Sequence, residues 1–207
     1  MSRLARIAPV LTVHPSLNAK TVKELIALAK SKPRILNYSS SGIGNPGHLS
    51  MELFMLMTGT SMVHIPYKGG SQSVTELVGG LVQLGFNAVP SVISYIKSGK
   101  LRPLAVASIY RARAMPELPT IDESAVPGFD YDIWYGLFAL SKTPQPIIEK
   151  ASASVQRALK EEEVARIMIL QGAEEPAPST TAEFSKFIRE DTARWSKIIK
   201  NLNIQAD

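Results

Sequence analysis

The stretch ILNYSSSGIGNPGHLSMELFMLMT, residues 35–58, decides the fold. Ile35 to Tyr38 reads as a short strand. Ser39 to Gly47 is a dense cluster of turn residues. Helix 46–57 follows, with Leu49, Leu53, Phe54, Leu56 and Met57 as its expected core face. Asn45 is a good N-cap, and Pro46 suits the first helical position because its missing N–H would have no partner there. A strand, a glycine-rich turn and a helix in that order make half of a βαβ unit.

The same order continues on both sides. Ile7 to Val13 is an apolar run expected to form a buried strand, and Thr21 to Lys30 has apolar residues at helical spacing up to the break at Pro33. Met62 to Ile65 reads as a strand, Pro66 to Gly70 as a loop, and Ser73 to Val78 as a helix opened by the capping-box spacing of Ser73 and Glu76. Leu81 to Phe86 is the next strand, Asn87 to Ser91 a loop, Val92 to Lys97 a short helix and Leu104 to Ala107 another strand. Strands alternating with helices predict a parallel sheet. Residues 109–130 read as a long surface connection. From Ile133 to Leu140 comes one uncharged strand, then helices expected over 146–159, after Glu161–Glu163, and after the capping box Thr180–Glu183. The last helix is expected to bury Phe184, Phe187, Ile188, Trp195, Ile198 and Ile199. One strand offers too little apolar surface for three amphipathic helices, so they must pack on one another or on a sheet outside this stretch.

Bulk chemistry narrows the function. The 207 residues contain no cysteine, which excludes disulfides, thiolate metal sites and a Cys nucleophile. The net charge of +5 sits in the first part, with +6 over residues 1–130 and −1 over residues 131–207. A basic first part is compatible with an anionic ligand, with nucleic acid or with a plain solvated surface. No aromatic interleaving or nucleic-acid motif accompanies it, so nucleic acid is not expected. Metal-ligand spacing is absent, and no metal or other cofactor is expected. No stretch reaches the roughly 20 apolar residues that span a bilayer. Met1 to Val13 lacks a secretory core, so the chain as written is expected to stay in the cytoplasm.

At the ends of parallel strands, loops that open helices present unpaired N–H groups and favour negative charge. The Ser39–Gly47 loop adds hydroxyls at Ser39, Ser40 and Ser41 and close backbone approach at Gly42, Gly44 and Gly47. A carboxylate fits this chemistry; an ordinary tight βα connection fits the pattern as well. No Lys-Ser/Thr follows the glycines, so it is not a phosphate loop, and no Gly-x-Ser-x-Gly makes a nucleophile elbow. His48 has no third group in the sequence to orient it as a base. Between Tyr38 and Ile96 the only charges are Glu52, Lys68 and Glu76. Neutral loops suit reversible binding and not catalysis, which needs a base of tuned pKa. Two further loops repeat the theme: His64 to Ser71, with Tyr67, Lys68 and Gly69, and Phe86 to Ser91, with Asn87 and Ser91.

The strings NYSSSGIGNPGHLSMELF, VHIPYKGGSQSVTELVGGLVQLGFNAVPS, GKLRPLAVAS and PELPTIDESAVPGFDYDIWYGLFA occur in the order of one family. From Arg6 to Ile204 the chain resembles the Bug-type substrate-binding receptors of tripartite tricarboxylate transporters. The resemblance implies a type II periplasmic-binding α/β fold with two lobes. Residues 1–131 would be the second, ligand-binding lobe with a crossing strand at its start. Residues 132–207 would be the returning hinge strand, at Trp134 and Tyr135, and the C-terminal helices of an incomplete first lobe. It implies a periplasmic receptor, not an enzyme, that holds a small carboxylate in an interlobe cleft and delivers it to membrane transporter subunits. Ser40, Ser41, Gly42, Asn45, His48, Tyr67, Lys68, Gly69, Asn87 and Ser91 are the ligand residues so implied. Asn87 stands where many members carry Asp, which disfavours a ligand ammonium and favours a plain carboxylic acid. Members have a further front portion, so this short chain is expected to bind weakly. The alternative is an effector-sensing or protein-interaction module without transport. Oligomeric state is left open.

Overall fold

The apolar run near the start is two strands, not one. In the computed structural model, which describes residues 2–174, 178–202 and 204, β1 (Ser2–Ile7) and β2 (Pro9–Val13) are separated at Ala8 and lie in different sheets. The chain forms two compact units. Among the described residues the larger is built on Ala8–Asp132, with Ile204, and the smaller on Ser2–Ile7 and the residues from Ile133 to Leu202. The boundary expected after residue 131 falls after Asp132, with Ser2–Ile7 on the other side of it.

In the larger unit, α1 (Val22–Ser31) follows β2 and is capped by the Thr21 side chain, which accepts from the Glu24 N–H. Then come β3 (Asn37–Ser40), α2 (Pro46–Thr58), β4 (Val63–Pro66), α3 (Gly70–Val78), β5 (Leu84–Ala88), α4 (Val89–Lys97), β6 (Arg102–Val106) and α5 (Ile121–Ser124). The sheet order is β4-β3-β5-β2-β6. The expectation of a parallel sheet is corrected: β3 is parallel to β4 and β5, but β2 runs antiparallel to both β5 and β6. Although α1 joins β2 to β3, β2 enters the sheet between β5 and β6 and runs against both, so a helical connection alone does not fix strand direction. Every residue of β2 is buried, as a central strand covered on both faces requires.

Several boundaries also shift. Ile35 is 56% exposed and Leu81 68%, because the strands start two and three residues later than expected. Ser39, Ser40 and Asn87 are therefore strand residues, not loop residues. The Ser73–Glu76 capping box does not form; α3 starts at Gly70 and Ser73 is buried within it. Ser91 lies in the first turn of α4.

Register fixes which side chains share a face. Tyr38 pairs with His64 and Leu84, Leu84 with Val13, and Phe86 with Leu11. Side chains alternate along strands, so these residues and Ser40 face α2. On that face Phe54 of α2 meets Phe86 and Phe129, with ring centroids 6.3 and 6.1 Å away. Full burial of each such ring contributes roughly 1.5–3 kcal/mol. The expected face of α2 is corrected as well: Met51, Leu53 and Phe54 are buried, while Leu56 and Met57 are exposed and Leu49 is half-buried. The opposite face is closed by Val74, Leu77, Val82, Val92 and Leu101. Residues 109–130 are more than a surface connection. Ala112, Met115, Leu118, Ile121 and Phe129 are buried, and a capping box at Thr120 and Glu123 opens α5.

In the smaller unit β1 pairs antiparallel with β7 (Ile133–Leu137), and α6 (Gln145–Ala158), α7 (Glu162–Leu170) and α8 (Thr181–Asn201) follow. Trp134 Nε1 donates to Asp191 Oδ2 at 3.0 Å, and its ring packs edge-on against Phe184 and Phe187. The capping box at Thr180 and Glu183 forms as expected. The helices bury little: of the six residues expected inside α8 only Phe184 is buried, the others are half-buried, and α7 buries none.

Candidate functional site

Strands β3, β4 and β5 run parallel, so their carboxyl ends lie on one edge of the sheet. Each opens into a helix within a few residues: β3 into α2, β4 into α3, β5 into α4. None of these three helices has a side-chain cap, whereas α1 and α5 of the same unit are capped by Thr21 and Thr120. Asn45 stands at the N-cap of α2 but donates from Nδ2 to the Ser41 carbonyl instead. Three uncapped helix starts side by side offer N–H donors and a positive partial charge to a single anion.

The backbone of this edge is tied together. The Tyr67 N–H donates to the Ser40 carbonyl at 3.0 Å, joining the loop after β4 to that after β3. Gly42 has φ 132°, and a methyl group there would meet Asn45 Nδ2 at 2.9 Å. Gly69 has φ 129°. Both lie in the conformational region that glycine favours. A methyl group on Gly47 would meet the Phe86 carbonyl oxygen at 3.0 Å, so glycine lets the first turn of α2 approach β5.

The residues expected at the site divide into two groups. Ser41, Gly42, Asn45, Tyr67 and Gly69 are half-exposed at the edge, and Lys68 is exposed. Ser40, His48 and Asn87 are buried, and each has an internal hydrogen bond. Ser40 Oγ accepts from the Gly42 N–H at 3.1 Å and lies 2.7 Å from His64 Nε2. His48 Nδ1 accepts from the Gly44 N–H at 3.1 Å. Asn87 Nδ2 donates to Thr12 Oγ1 on the face away from α2. Ser91 is exposed, and its hydroxyl donates to the Ala88 carbonyl of its own helix start. Trp134 anchors α8 on β7, and Tyr135 is 52% exposed.

Three residues not counted toward the site stand directly behind it. Tyr38, His64 and Glu52 surround His48. The imidazoles of His48 and His64 stack at 4.1 Å, and Tyr38 stacks on His64 at 4.8 Å. The Tyr38 hydroxyl donates to Glu52 Oε1 at 2.7 Å, and the same oxygen lies 3.6 Å from His48 Nε2. Burial, and secondarily His48, pushes His64 down to about 4. Burial also lowers His48, against an opposing pull from Glu52. Tyr38 is pushed above the usual phenol range by burial and by Glu52. The four-residue spacing of His48 and Glu52 was visible in the sequence as one helix face. The place of His64 depended on the pairing of β3 with β4.

The edge presents backbone donors, hydroxyls and one exposed ammonium, and burial beneath the loop disfavours the charged form of both histidines. Among the described residues no group of His, Asp or Glu is arranged to hold a metal ion.

The comparison with known sequences decides the relationship. The profile of the tripartite tricarboxylate transporter family receptor matches residues 1–204. The chain belongs to this receptor family. It is 32% identical over 200 residues to the protein BugT of Bordetella pertussis, a match that covers 97% of this chain and 61% of BugT. A solved structure of an R. palustris protein with adipate superposes with a TM-score of 0.91 at 33% identity, covering 98% of this chain and 68% of the other. MatC of Rhodopseudomonas palustris with bound malate gives 0.85 at 26% identity, covering 96% and 68%. The fold is therefore that of the periplasmic binding receptors. The chain spans about three fifths of the length of BugT. No helix among the described residues is long and apolar enough to cross a membrane.

Proposed function

We propose that this receptor chain binds a small organic carboxylate reversibly at the carboxyl edge of β3, β4 and β5. The observation that carries the reading is the convergence of three uncapped helix starts on that edge. A carboxylate placed there accepts hydrogen bonds from N–H groups that no capping side chain accepts, and the helix ends favour its charge. Between Tyr38 and Ile96 Lys68 is the only Lys or Arg, so oriented backbone dipoles do most of the charge recognition. The adipate and malate bound by the two structural relatives support an aliphatic dicarboxylate as the ligand class. Asn87 is uncharged and buried, which gives a ligand ammonium no carboxylate partner at β5. Family membership supports delivery of the ligand to a membrane transporter from the periplasm.

Titration calorimetry with adipate, malate and succinate tests the reading, with adipamide as the neutral control. Heat of binding is expected for at least one diacid and none for the diamide. Equal response to adipate and adipamide, or no response to any diacid, overturns it.

A second reading, a protein-interaction module without transport, draws on the exposed Phe138, Leu140, Ile147 and Leu170 of the smaller unit. Exposed apolar side chains of this size mark contact surfaces when they are contiguous. Light scattering showing a stable dimer, together with no diacid binding, would favour it.

A further inference from the structure

The loop after β3 is gripped from beneath by two imidazoles. His48, in the first turn of α2, accepts the Gly44 N–H at Nδ1. His64, on β4, reaches Ser40 Oγ with Nε2, and that hydroxyl in turn accepts the Gly42 N–H. The two rings are stacked at 4.1 Å and 15°, so moving one disturbs the other. The two glycine N–H groups they fix lie at alternate residues of the loop that opens α2. Because His48 Nδ1 is an acceptor, its proton must sit on Nε2, on the side of Glu52 Oε1. Glu52 Oε1 is itself fixed by the Tyr38 hydroxyl. The Ser40 hydroxyl also lies 2.9 Å from the Gly42 carbonyl oxygen, and a buried polar network of this kind favours one conformation.

We propose that the stacked His48–His64 pair positions the ligand loop, setting the Gly42 and Gly44 N–H groups from behind without touching ligand. This revises the expectation that His48 contacts ligand, and it rests on reading the loop as the carboxylate loop. Each imidazole reaches the loop through one nitrogen, so the side chain that reproduces that nitrogen should replace it in the loop. An asparagine amide oxygen stands near the Nδ1 position, and a glutamine amide group stands near Nε2.

The test uses His48→Asn, His48→Leu, His64→Gln and His64→Leu in the full chain. The first readout needs no ligand. Nitrogen NMR of the labelled imidazoles is expected to show His48 with its proton on Nε2. Exchange of the Gly44 amide is expected to speed up about tenfold in His48→Leu and to stay within about twofold of wild type in His48→Asn. The second readout is adipate and malate titration: each leucine variant loses about tenfold or more in affinity, and His48→Asn and His64→Gln recover most of it. A His48 proton on Nδ1, or a Gly44 amide indifferent to His48→Leu, overturns the proposal. So does equal loss in His48→Asn and His48→Leu when both melt like wild type. If wild type binds neither diacid, the carboxylate reading fails, and the imidazole and amide measurements alone decide the positioning role.

Discussion

Gly47 stands against Phe86 so closely that an added methyl group would meet the Phe86 carbonyl oxygen at 3.0 Å. The first turn of α2 therefore rests on the backbone of β5, and the loop before it is drawn toward the sheet edge. Gly47→Ala is expected to destabilise the fold by about 1–3 kcal/mol, because the neighbour is backbone and cannot swing aside. Denaturant unfolding measures this directly. A variant as stable as wild type would show that the helix moves freely.

Gly42 and Gly44 both have positive φ, but only Gly42 is crowded, by Asn45 Nδ2. Gly42→Ala should cost more than Gly44→Ala, with the first near ~2 kcal/mol and the second near ~1 kcal/mol. Gly42→Ala should also weaken diacid binding, since it displaces the side chain that holds the Ser41 carbonyl. Comparative unfolding and calorimetry check the order of the two variants.

Acid should loosen the site. The folded pKa of His64 lies at about 4, below its unfolded value of 6.5. Between these values the unfolded chain binds the proton more readily, so stability falls as pH drops through that window and levels off below it. His48 is shifted in the same direction. The ionisable groups facing the pair are Glu52 and Tyr38, and the Glu52 carboxylate partly offsets the effect at His48. Thermal melts across the window should show the decline, and His64→Gln should flatten it.

Thr180 and Glu183 close the start of α8 reciprocally. Thr180→Ala should lower the melting temperature of the smaller unit by about 3 °C. Circular dichroism of the melt reads the shift; diacid affinity should not change, because Thr180 lies in the other unit.

Lys68 is exposed, so its charge is screened by solvent. Lys68→Gln is expected to weaken diacid binding by less than about tenfold, and affinity should fall only modestly with added salt. A larger loss would move the charge recognition from the helix starts to the side chain.

Much of the larger unit was legible in order. The turn cluster at Ser39–Gly47, the proline at the start of α2 and the alternation of strands with helices are local signals. The capping box at Thr180 was equally plain. Misplaced were the strand starts at Asn37 and Leu84, because apolar residues at Ile35 and Leu81 continue the pattern while facing solvent. The capping-box spacing at Ser73 and Glu76 was a coincidence of residue types inside a helix that had already begun.

By itself the sequence determined a neutral, glycine-rich edge of an α/β sheet, since turn chemistry and helix starts are written in adjacent residues. Only the tertiary structure decided which of its side chains lie buried beneath the loop and which stand at the open edge. Ser40, His48 and His64 look alike as candidates along the chain. The register of β3 against β4 turns His64 under the loop, where its ring stacks on that of His48, 16 residues earlier in the chain. The antiparallel insertion of β2 was likewise a tertiary decision, because strand direction follows from which neighbours a strand enters between, and no local residue pattern encodes that.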